Sequence, residues 1–306
     1  MATILWEGVY PALLTPFKED DSIDFEVFKI NLDAQVKAGV KGIVLGGSLG
    51  EASSLSNKEK TELMLFAKSM LSDQIPVIIN IAEQTTKAAI QLAIESEKNG
   101  ADGFMLLPPM RYYADDVETL DFFKSVAKAT SLPIMIYNNP VDYKILVTLD
   151  MFEELAKIPN IQAVKESTRD VTNVTRMINR FGDRFKILTG VDPLAMESLC
   201  MGAHGWVAGL VDAFPRETVA IFNLIKAGRI EEALTIYRWF LPLLELDTHP
   251  KLVQNIKLAA EYTGIGTSNV RAPRLKLKGD ELVSVKGIIE KALASRPVLP
   301  EYLHLK

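Results

Sequence analysis

Short apolar runs alternate with amphipathic helical repeats along the first two-thirds of the chain. The apolar runs fall at 8–15, 42–46, 77–81, 103–107, 134–137, 161–164, 185–188 and 206–210. Most lack strict in–out alternation, which is the pattern of parallel strands buried on both faces. Between them, apolar residues recur at helical spacing over 25–38, 61–71, 86–99, 117–129, 149–157, 171–180 and 193–201. Ser56 and Glu59 form a capping-box signature ahead of the second repeat, and Gly39, Gly100, Gly182 and Gly202 stand where helices stop.

Eight strand–helix units predict a (β/α)8 barrel. A doubly wound sheet fits less well, since it usually has fewer strands and no G-x-G-x-x-G follows the first run. Four further helical segments follow the eighth run, at 217–226, 230–244, 251–262 and 281–294. The first closes the barrel, and the others form a helical appendage without a motif of their own. The expected organisation is a barrel over 1–228 with a C-terminal helical region, 229–306, packed on it.

Composition narrows the function. Hydrophobic residues make up 48% of the 306 positions and charged residues 24%, as in a well-packed globular protein. The net charge of −5 with no basic cluster argues against a nucleic-acid partner. Neither a basic-then-apolar leader nor an 18-residue apolar stretch is present, so no membrane partner and a cytoplasmic location are expected. The single cysteine, Cys200, cannot form an internal disulfide and fits a reducing compartment; between Leu199 and Met201 it reads as a packed core thiol. His204, His249 and His304 are scattered, so no metal site is expected.

In such barrels chemistry gathers at the C-terminal ends of the strands. Those ends carry Thr15, Gly47-Ser48, Tyr137, Lys165, Gly190 and Gly209. The run 161–164 delivers Lys165 without an intervening turn. An isolated lysine there most often begins an exposed loop. Beside an apolar core, however, an amine loses affinity for its proton and becomes a nucleophile toward carbonyls. Tyr137, one strand earlier, could move protons, although a tyrosine at a strand end is more often a core residue with a satisfied hydroxyl. Gly46-Gly47-Ser48-Leu49-Gly50-Glu51 reads either as a tight strand–helix turn or as a nest of N–H groups for a carboxylate.

Taken together, the segments Pro11-Ala-Leu-Leu-Thr-Pro16, Gly47-Ser-x-Gly-Glu51, Tyr137-Asn-x-Pro140, Val164-Lys-Glu-Ser167, Thr189-Gly190 and Gly202-Ala-His-Gly205 resemble the dihydrodipicolinate synthase / N-acetylneuraminate lyase family. The resemblance implies a TIM barrel assembled as a homotetramer or dimer, with no metal or organic cofactor. It assigns Lys165 to a Schiff base with a 2-oxo acid and Tyr137 to proton transfer. Ser48 and the Leu49 N–H would hold the substrate carboxylate, with Gly47, Gly190 and Val207 lining the pocket.

Three positions depart from the synthases of that family. Leu49 stands where a second threonine hydroxyl is expected, and its loss would interrupt a proton relay. Arg111, followed by Tyr112, takes the place of a tyrosine reaching in from a neighbouring subunit. Asp142 replaces a carboxylate-binding arginine. The turn Gly47-Ser-Leu-Gly-Glu51, and the segment Asp247-x-x-Pro250-x-Leu-Val253-x-x-x-Lys257, look like the branch that deaminates and dehydrates 4-hydroxy-1-pyrroline-2-carboxylate in hydroxyproline degradation. The alternatives are a dihydrodipicolinate synthase or other pyruvate-dependent aldolase, and a non-catalytic 2-oxo acid-binding member. In each the partner is a small 2-oxo acid or its cyclic imine.

Overall fold

Eight parallel strands wrap into a barrel in the computed structural model, which describes residues 3–71 and 74–305. The strands are β1 (Gly8–Pro11), β2 (Ile43–Leu45), β3 (Val77–Ile81), β4 (Gly103–Leu106), β5 (Ile134–Asn138), β6 (Ile161–Glu166), β7 (Lys186–Thr189) and β8 (Gly205–Ala208). They are hydrogen-bonded in the order β1-β8-β7-β6-β5-β4-β3-β2. The gap between β1 and β2 is closed by one parallel bridge, Ala12 to Val44, with the Leu13 N–H donating to the Val44 carbonyl at 2.9 Å. This is a TIM barrel, as the alternating pattern predicts. The strands are apolar along most of their length because one face meets the barrel interior and the other meets helices.

The helices are α1 (Phe25–Ala38), α2 (Asn57–Leu71), α3 (Thr86–Lys98), α4 (Asp116–Lys128), α5 (Pro140–Tyr143), α6 (Leu149–Leu155), α7 (Thr172–Phe181), α8 (Ala195–Cys200), α9 (Pro215–Lys226), α10 (Ile230–Leu244), α11 (Leu252–Tyr262) and α12 (Gly279–Ala294). Their ends follow local chemistry. Ser56 and Glu59 exchange the reciprocal hydrogen bonds of a capping box ahead of α2, and Asp115 and Glu118 do so at α4. Gly39 ends α1 in the left-handed conformation that glycine adopts without penalty. None of the described helices is long and apolar enough to cross a membrane.

Two local expectations need correction. Cys200 is exposed rather than packed in the core. Helix α8 is only six residues long; Ala195, Met196, Ser198 and Leu199 take its inward positions, leaving Cys200 at the outward side of its last turn. Strand β6 also continues past Val164 to Glu166, so Lys165 lies within the ladder, opposite Tyr137 on β5 and Leu188 on β7.

The C-terminal region packs against the barrel through α9 and α10, where Phe214 and Phe240 meet edge-on at 5.4 Å. A 3-10 turn, Glu245–Thr248, links α10 to α11. That link contributes Asp247 and Thr248, and the start of α11 contributes Leu252, to the wall of the central cavity.

Candidate active site

Strands β5 and β6 place Tyr137 and Lys165 side by side, with the Lys165 Nζ 4.2 Å from the centre of the Tyr137 ring. Both are buried. They line a cavity of about 80 Å³ at the C-terminal mouth of the barrel, room for a small organic acid. Burial pulls the Lys165 ammonium below the ordinary lysine range, against the opposing pull of Tyr143, Asp247, Asp192 and Asp142. Burial likewise raises the Tyr137 phenol above its usual range, and Asn139 Nδ2 donates to its oxygen at 3.1 Å. A lysine that readily yields its proton beside a phenol that keeps its own is a workable nucleophile–acid pair.

Gly190 follows β7 and faces this pair. A Cβ on it would stand 2.5 Å from Lys165 Cε and 2.3 Å from Ser167 Oγ, so only glycine leaves the lysine its place. Val207 on β8 also lines the cavity, as do Gly47, Ser48 and Leu49 from the turn after β2.

That turn is held from several sides. Gly46 has φ +68, and its carbonyl accepts from Asn80 Nδ2 at 2.9 Å. Thr15 lies outside the cavity wall; its hydroxyl donates to the Gly50 carbonyl at 2.7 Å and braces the turn from below. Glu51, fully buried and in the left-handed region at φ 53, forms an ion pair with the buried Lys257 of α11. Its other oxygen accepts from the Arg271 N–H at 3.2 Å and lies 3.5 Å from the Arg274 guanidinium. Burial pulls Lys257 down to about 8. Through this pair the C-terminal region fixes the turn that shapes the cavity.

Next to Leu49, a hydroxyl contact forms through a different residue. Tyr143 of α5 meets the Tyr137 ring edge-on at 5.5 Å, and its hydroxyl lies 2.6 Å from Ser48 Oγ. Leu49 is buried, with Cδ1 against Gly209, and takes no part in this contact. The hydroxyl beside Tyr143 belongs to Ser48, and position 49 adds none.

The remaining candidates sit further out. Asp142 lies on the rim, where its carboxylate accepts from Asn139 Nδ2 at 2.7 Å. Arg111 and Tyr112 are exposed and line a separate open basin of about 850 Å³, which shares Ser48, Asp142 and Tyr143 with the inner cavity.

Sequence reasoning passed over two acids. Asp192 follows β7 and is fully buried; it accepts from Trp206 Nε1 at 2.9 Å, from the Leu210 N–H at 2.7 Å, and through both oxygens from the Gly209 N–H at 3.1 Å. Asp247 lines the cavity; burial, with Asp192 nearby, pushes it up to about 8. Its only sequence signal was its place in the segment ending at Lys257.

A sequence profile of the dihydrodipicolinate synthetase family matches residues 5–292. A 4-hydroxy-tetrahydrodipicolinate synthase from Archaeoglobus fulgidus is 32% identical over 290 residues, covering 94% of this chain and 98% of its own. The enzyme of that name from Haloarcula marismortui is 31% identical, covering 94% of each chain. Among solved structures, a 4-hydroxy-tetrahydrodipicolinate synthase from Methylacidiphilum fumariolicum superposes with a TM-score of 0.89 at 28% identity, over 94% of this chain and 97% of that one.

Proposed function

This chain belongs to the dihydrodipicolinate synthetase family of Schiff-base lyases, and on that premise we propose that Lys165 forms an imine with a small 2-oxo acid such as pyruvate. The observation that carries the reading is Lys165 Nζ resting 4.2 Å from the Tyr137 ring centre within a small buried cavity. The neutral amine attacks the 2-carbonyl, and the carbinolamine loses water with Tyr137 moving the proton. The resulting iminium withdraws electrons from carbon 3, which gives up a proton to form an enamine. Ser48 and the Leu49 N–H hold the substrate carboxylate. On this reading the chemistry uses side chains and backbone alone, with the lysine as its covalent group.

The second half-reaction is of the aldolase or synthase type, in which the enamine joins or releases an aldehyde. Two observations support it. The Ser48–Tyr143 hydroxyl contact leaves a proton path open where Leu49 would have closed it, and the curated relatives cited above carry synthase names. One observation favours the deaminating and dehydrating reading instead. Asp142 borders the cavity where an arginine would have bound a second substrate carboxylate, and its carboxylate would repel one but not a hydroxyl or protonated imine. For either reading the family resemblance favours a homo-oligomer.

The test is incubation with pyruvate and borohydride, followed by mass measurement. One reduced adduct per chain is expected, lost in Lys165→Ala; an adduct that survives that substitution would overturn the assignment. A substrate panel read for pyruvate, ammonia and dihydrodipicolinate then separates the two second half-reactions.

A further inference from the structure

We propose that Asp247 is a second proton donor of this cavity, serving an oxygen carried on carbon 4 of the substrate, so that the site selects 2-oxo acids oxygenated at that position. The inference rests on the Schiff-base reading of Lys165 and adds a group that does not depend on Tyr137.

The placement of two acids carries the argument. Asp247 sits on the 3-10 turn Glu245–Thr248 and lines the same cavity as Lys165 and Tyr137. Its Oδ2 has only a long hydrogen bond, 3.4 Å, from the Asp192 N–H, and its Oδ1 stands over Gly209, where a Cβ would meet it at 2.7 Å. No hydrogen bond from a cationic side chain reaches it among the described residues. Asp192 is its opposite: three N–H donors converge on its two oxygens.

Hydrogen bonds of this kind stabilise the ionised carboxylate. Burial raises both acids, but the donors around Asp192 hold the charge there, and a second anion alongside is then disfavoured. The proton therefore resides on Asp247. Lys165 and Asp142 are the other charged groups that face it, and Tyr137 is the facing phenol. A protonated carboxyl is a hydrogen-bond donor, and here it is one on the cavity wall.

The step balances as follows. In the bond-forming direction, carbon 3 of the enamine attacks the aldehyde carbon, the carbonyl π pair takes the Asp247 proton to become a hydroxyl, and the enamine returns to an iminium. Asp247 is left as a carboxylate, which in the reverse direction accepts the hydroxyl proton as the C3–C4 bond breaks. In a dehydration, the same proton lets the C4 hydroxyl leave as water.

Two probes that differ only in that oxygen, 4-hydroxy-2-oxopentanoate and 2-oxopentanoate, test the inference by borohydride trapping across a concentration series. The natural protein is expected to trap the hydroxylated acid at about ten-fold lower concentration, the worth of one good hydrogen bond. Asp247→Ala should erase the difference, and Asp247→Asn, which keeps a donor but no transferable proton, should restore part of it. Release of pyruvate from the hydroxylated acid should be seen with the natural protein and fall at least about 100-fold in Asp247→Asn. Equal trapping of the two acids, an advantage undiminished in Asp247→Ala, or no pyruvate release would overturn the inference. A pyruvate adduct in each variant shows that fold and lysine are intact, whereas no adduct in the natural protein would defeat the Schiff-base reading itself.

Discussion

The hydroxyls of Tyr143 and Ser48 lie 2.6 Å apart and join the helix after β5 to the turn after β2 across the mouth of the cavity. Both residues line the cavity, and Tyr143 also packs edge-on against Tyr137. We predict that this contact carries hydroxyl continuity within one chain, by a route that does not pass through position 49. Burial raises the Tyr143 phenol, which favours its neutral form.

Tyr143→Phe removes that continuity without enlarging the cavity. Turnover should fall by ~10²-fold or more, the lower end for general acid–base assistance, while trapping of pyruvate by borohydride remains measurable. Leu49→Thr, by contrast, should change turnover little. Steady-state kinetics on both variants decides the matter, and the opposite order of effects would return the relay to position 49.

A second prediction concerns the buried pair Glu51–Lys257, which ties the turn to α11. Lys257→Met leaves a buried carboxylate without its main partner, a change that typically costs about 3–5 kcal/mol. The double variant Glu51→Gln with Lys257→Met should recover much of that loss. Urea unfolding of the three proteins measures it. A double variant no more stable than the single one would mean that shape rather than charge governs the contact.

The fold was legible because strands buried on both faces leave continuous apolar runs, and eight of these alternate with helical repeats. Lys165 and Tyr137 were legible for a related reason, since each ends such a run with a polar group. What escaped was short or distant in sequence. Helix α5 has four residues, too few to show a period, yet it carries Tyr143. Asp247 reaches the cavity from beyond the barrel, and nothing local distinguishes it from other surface acids. Cys200 was misplaced because one residue of helical register separates inside from outside at the end of α8.

Tyr137→Phe probes the pair at the centre of the site. The ring remains beside Lys165, so the local packing is preserved while the proton is lost. Turnover should fall by ~10²–10⁴-fold, with the lysine still able to form a slower adduct. An unchanged kcat would make Tyr137 a packing residue whose hydroxyl serves only Asn139.

The last prediction uses stability as an independent readout of Asp247. Its pKa is pushed up to about 8 in the folded chain, against about 3.9 for an unperturbed aspartate in the unfolded one. Between those values the folded chain holds a proton that the unfolded chain has released. Stability must therefore fall as pH rises through this window, because the slope follows the protons bound by the unfolded state minus those bound by the folded state. Asp247→Asn removes the contribution. The Tm of the variant relative to the natural protein should thus climb steadily from about pH 5 to pH 8. Lys257, pulled down to about 8, acts in the opposite sense above that value and is common to both proteins, so the comparison stops there. A Tm difference that stays constant across the window would show that Asp247 is already ionised at pH 5, and the proton assigned to it would have to sit elsewhere.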